Sequence, residues 1–256
     1  MSRILAIARA TLAEAIRHRV LYLLLVFALV LIAFSRVLSM LTVGEDDKII
    51  MDVGMSAISI LGLLVTLFVG VGIIFREMER KTIQVTLAGP VARHEYVIGK
   101  FAGLAAAITI NAVVMALALF GILALRGAFA PALVTAVFML WVELMFITAV
   151  AVFFSSFSTP IFSALFTAAT YVVGHMAWSL TLLERKLPEG AAAARAIVRA
   201  VYLIVPDLEY GDVRALAVHG LPIPPERVAW ATVWELGYAA LLLAIGCLAF
   251  RRRDLV

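Results

Sequence analysis

Six apolar runs set the terms for this chain: about 20–42, 53–75, 101–125, 131–154, 160–183 and 229–250. A helix needs roughly 20 such residues to cross a hydrocarbon core. Within that core every backbone N–H and C=O must be paired by the protein itself, which leaves only helices and closed barrels. The runs are continuous rather than alternating, and that pattern selects helices. Hydrophobic residues make up 64% of the chain and charged residues 15%, whereas a soluble domain is about 45–50% apolar. A soluble surface has no room for the excess. The expected fold is an all-α integral membrane protein, one domain over 1–256 with six transmembrane helices.

Basic residues assign the sides. Arg3, Arg9, Arg17 and Arg19 precede the first run. Arg76, Arg80, Lys81, Arg93 and Lys100 lie between the second and third, and Arg251, Arg252 and Arg253 follow the sixth. If the spans alternate, these twelve cations share one side. The short loops opposite hold Arg36, Lys48 and Arg126, the first of them beside the acidic GEDDK. Short loops rich in Lys and Arg stay inside, so both termini are expected in the cytoplasm. The net charge of +4 sits in these flanks and points to no nucleic acid. The first residues do not read as a cleavable signal peptide, because basic residues recur through Arg19 and the apolar run that follows is too long. A single cysteine, Cys247, leaves no internal disulfide and no cysteine metal cluster.

Two segments lie outside the spans. Residues 184–228 form the one long external piece, with an amphipathic stretch near 190–204 and turn-rich PDLEYGDVRAL and HGLPIPPERV. At the N-terminus, Ile4, Ala8, Thr11, Leu12, Ala15 and Ile16 share one helical face. That pattern fits a helix lying in the membrane interface; a plain basic flank is the simpler alternative.

Residues 75–100, FREMERKTIQVTLAGPVARHEYVIGK, hold eight charged side chains and a histidine in 26 residues. The helix of the second span is expected to continue through Lys81. Pro90 then breaks it, and a new helix begins at ARHEYVIGK. By composition alone the charges either anchor helix ends at the headgroups or meet a cytosolic protein. In detail the stretch resembles the ABC-2 type permeases, and most closely the subgroup of the permease that serves nitrous-oxide reductase maturation. The shared pattern reads Glu77, Glu79, Thr82, Leu87, Pro90, Arg93, Gly99 and Lys100 here, with Lys81 where many members have glycine. The likeness extends to the amphipathic N-terminal helix, six spans, the external segment before the last span and the closing FRRRDL.

The resemblance implies a membrane subunit of an ATP-driven transporter in a bacterial inner membrane. It implies a cytoplasmic coupling helix between spans 2 and 3 that docks on a separate ATPase subunit, through Arg76, Glu77, Glu79, Arg80, Thr82, Leu87, Pro90 and Arg93. It implies a second permease copy or a related permease as partner, and an external protein at 184–228 remains open. Cofactors are expected in the partner alone, as ATP and Mg. Export of a substrate is one outcome; a non-transporting relay of ATPase motion to an external partner is the other.

ATP binding by this chain itself is not expected. Gly99–Lys100 matches the end of a phosphate-binding loop, but His94 stands where its first glycine belongs and Phe101 replaces the Ser or Thr. The histidines at 18, 94, 175 and 219 form no metal-ligand spacing. Ser155, Ser156 and Ser158 precede Pro160 as a turn, with no base beside them. Inside the expected spans stand Asn111, Glu143 and His175. Ionisable groups at that depth face protein or water. They fit a polar path lining, a buried Glu143–His175 or Glu143–Asn111 pair, or a protonated Glu143 bonded between helices. An intramembrane enzyme using Glu143 and His175 is a further, distant reading.

Overall fold

The computed structural model describes residues 3–39, 45–72, 75, 92–176 and 207–251. Its helices are α1 (Arg3–Ile16), α2 (Arg19–Ser39), α3 (Asp46–Val65, continued by a π-helix Thr66–Val71), α4 (Arg93–Leu125), α5 (Ala132–Ser155), α6 (Pro160–Gly174), α7 (Arg214–Val218) and α8 (Pro225–Arg251). No strand occurs among the described residues. Helices α2, α3, α4, α5 and α8 are long and apolar enough to cross a membrane, and α6 is a shorter apolar helix. The protein is an all-α, multi-pass membrane protein.

Side-chain chemistry separates two ends of the bundle. At one end α1 begins beside α4: Arg3 faces Glu95 across 3.8 Å. Arg93 Nη1 there donates to the Phe250 carbonyl, 3.1 Å away, near the end of α8. Tyr96 stacks on Phe250 with ring centroids 5.6 Å apart. At the far end Arg126, after α4, meets Asp47 at 2.6 Å and Asp46 at 3.7 Å, at the start of α3. The helices therefore alternate in direction, and the start of α1 and the end of α8 lie at the same end of the bundle.

Helix α5 is the axis. Of its best membrane-length window 72% is buried, against 22% for α2 and for α8. Its sequence explains this: AVFMLWVELMFITAVAVFF is apolar on every face, as a helix surrounded by others must be. Helix α3 lies close because Gly62 faces Leu144 of α5, and Gly54 faces Leu119 of α4.

The N-terminal helix is packed into the bundle rather than only resting on it. Thr11 and Ala15 are buried. A Cβ on Gly99 would lie 2.8 Å from the Ile7 side chain, and one on Gly103 would lie 2.5 Å from the Ala8 carbonyl. Gly99-x-x-x-Gly103 is thus a groove for α1, the small-residue spacing that lets helix backbones approach. The pair that mimics a phosphate loop has this structural use. Lys100 is buried beside it, with Nζ 5.7 Å from the Tyr96 ring centroid.

The described part of the fifth run, 160–176, holds one shorter helix. Helix α6 stops at Gly174 after 15 residues, about 22 Å of rise against a core of about 30 Å. Residues 177–183, the rest of that expected run, lie outside the described residues, as do 40–42 of the first. From Asp207 the chain packs one side into the bundle, with Leu208, Gly211, Val213 and Ala217 buried while Glu209 and Tyr210 stay exposed; the Leu208 N–H donates to the Gly174 carbonyl at 3.2 Å. Leu208 is buried among Phe146, Ile147 and Val150 of α5 and Ala239 of α8. Val213 and Ala217 join the core formed by α3, α4 and α5. Part of the expected external segment therefore re-enters the bundle, where non-helical backbone is tolerated because protein surrounds it. Arg227 fixes this entry, donating to the carbonyls of Tyr210 at 2.8 Å and Asp212 at 3.2 Å.

Candidate functional site

Where α6 ends and the re-entrant segment begins, the bundle holds a buried polar cluster. Glu143 lies 11 residues into α5 from its far-end start at Ala132, about 16 Å deep and near the middle of the helix. Its side chain is only 6% exposed, and its Oε1 stands 3.7 Å from His175 Nε2. Neither of those two atoms has a hydrogen-bond partner. The rest of the carboxyl group is held by a hydrogen bond with Ser59 of α3. The Ser59 hydroxyl pairs with the Tyr171 hydroxyl of α6 at 2.8 Å.

His175 caps α6 and is turned by its own helix. Its Nδ1 lies 3.1 Å from the Tyr171 carbonyl, and its ring lies 4.4 Å from the Tyr171 ring. A carbonyl can only accept, so Nδ1 carries the hydrogen and donates. No ring nitrogen faces a hydroxyl, and the arrangement needed for a nucleophile–base pair is not formed here.

The re-entrant segment contributes an ion pair to the same region. Arg214 binds both oxygens of Asp212, Nε to Oδ1 at 2.9 Å and Nη2 to Oδ2 at 2.5 Å. Burial pushes the Asp212 carboxyl up, but the two-pronged guanidinium outweighs it and holds the group below its ordinary value. Burial of Asp207 leaves that carboxyl raised. Both charges of the ion pair are felt at Glu143.

Glu235 of α8 completes the cluster. It is 2% exposed, and its Oε2 has no hydrogen-bond partner. It presses against Gly211, where any Cβ would collide with its Oε1. The sequence reading passed over Glu235, although an ionisable residue inside the run 229–250 was the signal. Exposed Trp230 and Trp234 beside it suggest an interface rather than an interior. Ser59, Tyr171, Asp212 and Arg214 carried no comparable signal, because only the re-entrant path brings them together.

Of the sequence candidates, Glu143 and His175 are brought face to face. Asn111 is buried in α4 with its Nδ2 unpartnered, and it packs beside Ile108 and Ala112 of a neighbouring core region. Of the expected coupling residues only Arg93 is described, tied to Phe250 as above. Arg76, Glu77, Glu79, Arg80, Thr82, Leu87 and Pro90 lie outside the described residues, as do 190–204 and the end of FRRRDL. Among the described residues no group of three or more His, Cys, Asp or Glu side chains is placed to hold a metal ion.

No curated protein resembles this chain closely enough to count as a relative. A family model described as ABC-2 family transporter protein matches residues 5–255. That span includes all of α1 but its first two residues, every membrane-length helix among the described residues, α6 and the re-entrant segment. The chain belongs to the ABC-2 family of transporter proteins.

Proposed function

We propose that this chain is the permease subunit of an ATP-driven transporter, energised by a separate ATPase that docks on residues 76–93. The family match over 5–255 carries the reading. On this reading that stretch and both termini are cytoplasmic in a bacterial inner membrane. ATP and Mg belong to the partner, and two permeases, identical or related, work together. The narrower likeness to the permease of nitrous-oxide reductase maturation rests on Glu77, Glu79, Thr82, Leu87, Pro90 and Arg93.

Packing next to that stretch supports force transmission. Phe75 is buried against Val71 and Ala151 just before it. Arg93 just after it is bonded to the end of α8, and α1 is seated in the Gly99–Gly103 groove of α4. A push there meets a solid corner rather than a loose loop. The π-helix Thr66–Val71 lies immediately upstream; such insertions mark functional hinges in many helices.

A relay reading is favoured by one observation: the segment at the far end enters the bundle and contacts α5 and α8 directly. Motion of those helices would reach an external partner bound at 184–228 without any solute passing. Co-expression with a cognate ATPase tests the main reading. The ATPase should co-purify, and Glu79→Lys should release it. A chain that moves solute with no ATPase present would refute the reading. Glu79 is the better probe, since changing Arg93 also breaks its bond to Phe250.

A further inference from the structure

Glu143 and His175 each present one buried atom with no hydrogen-bond partner, and the two atoms face each other across 3.7 Å. The His175 Nδ1 hydrogen is already committed to the Tyr171 carbonyl. In the neutral ring Nε2 is therefore a lone-pair acceptor. An ionised Glu143 is also only an acceptor. Two acceptors facing one another in a dry site repel, and each leaves an unsatisfied group of the kind that costs about 1–3 kcal/mol. One added proton turns either atom into a donor, and a closure of about 1 Å then makes a normal hydrogen bond.

We infer that Glu143 and His175 form a proton-binding site in the middle of the bundle, and that the bound proton keeps the re-entrant segment 207–214 docked. The proton comes from water, and no other reactant is required.

The groups around the site bear this out in kind. From α3 comes only the Ser59 hydroxyl; from α6, Tyr171 and His175; from α8, the second buried carboxyl, Glu235. The re-entrant segment adds Asp207, Glu209, Asp212 and Arg214. Two arginines lie at the segment: Arg214, which Asp212 holds through both carboxyl oxygens, and Arg227 of α8, which donates to the Asp212 carbonyl. While the proton is bound, Arg214 stays with Asp212 and the segment keeps its packing. Once the proton leaves, a buried carboxylate competes for Arg214. The Leu208–Gly174 hydrogen bond and the Arg227 clamp lie on the same few residues, so a shift of Arg214 pulls on the join between α6 and the segment. This inference stands on the chain's own geometry and does not require the ATPase reading.

The test uses the full chain in lipid nanodiscs. Infrared difference spectra between acidic and alkaline pH should contain a protonated-carboxyl band that is lost in Glu143→Gln and persists in Glu235→Gln. In His175→Leu the band should move to the position of an unbonded carboxyl. Hydrogen exchange of 207–213, corrected for the intrinsic pH dependence, should speed up at alkaline pH in the parent. It should stay slow in Glu143→Gln, whose amide donates to the neutral Nε2 with no carboxyl proton to lose. A band unchanged by Glu143→Gln, or the same pH-dependent exchange in that variant, would overturn the inference. A His175→Leu band at the parent position would overturn the shared proton.

Discussion

Replacing Gly103 by alanine is the sharpest probe of how α1 is held. The new Cβ would lie 2.5 Å from the Ala8 carbonyl oxygen and 2.6 Å from the Thr11 Cβ. Ordinary contacts between such atoms are about 3.5 Å or more, so α1 must retreat by about 1 Å. The obstacle is backbone, which cannot swing aside as a side chain can. Overpacking of this kind costs roughly 1–3 kcal/mol. Against it stands the better helix propensity of alanine, about 1 kcal/mol over glycine. Gly121 separates the two effects: it sits in the same helix, and a Cβ there would meet nothing within 4 Å. Gly121→Ala should therefore take the gain alone. The two variants should differ by the whole steric cost, a gap of roughly 2–12 °C in unfolding midpoint at roughly 2–4 °C per kcal/mol. Thermal unfolding in detergent, followed by tryptophan fluorescence, reads that gap, and limited proteolysis of residues 3–16 should rise only in Gly103→Ala. Equal midpoints and equal proteolysis would refute the close seating of α1 on α4.

The re-entrant segment yields three more tests. Arg227→Met removes the donors to the Tyr210 and Asp212 carbonyls; hydrogen exchange of 207–213 should become faster, matching a loss of about 1–3 kcal/mol of local stability. Gly211→Ala forces a Cβ onto Glu235 Oε1 and should lower the unfolding midpoint, with partial recovery when Glu235→Ala is added. The folded-state pKa of Asp212 lies below its ordinary value of 3.8, so the pair with Arg214 contributes stability that is complete above that value. It is lost as pH falls through the still lower folded value. The parent should therefore lose more stability than Asp212→Asn when acidified below about pH 4, and parallel acid curves would contradict the pairing.

Much of the helical framework was legible because hydrocarbon allows so few solutions. A continuous apolar run of the right length can only be a helix embedded in the membrane, and the all-α class follows from that. The restart of a helix at ARHEYVIGK was legible as well: α4 starts at Arg93, ahead of the apolar run near 101, because Glu95 accepts the Ala92 N–H at 2.8 Å and so caps a polar first turn. The sequence does not say which glycines pack. Gly62 and Gly103 make the close approaches, while Gly72 and Gly121 face nothing within 4 Å. The site was half visible. Glu143 announced itself as a charge inside a run, yet its neighbours come from Ser59, Tyr171 and the 207–214 segment, far apart in the chain. A turn-rich stretch carries no periodicity to say that it folds back into a bundle. Arg93 shows the opposite case, a residue expected at a partner surface that is bonded to Phe250 within its own chain.

A photo-cross-linker placed at Glu79, in the full chain co-expressed with its ATPase, tests the proposed energising contact most directly. The account predicts a single cross-linked species containing the ATPase, diminished when the same probe stands instead at Arg126 on the far end of the bundle. Cross-linking at Arg126 but not at Glu79, or none to the ATPase from either position, would contradict it.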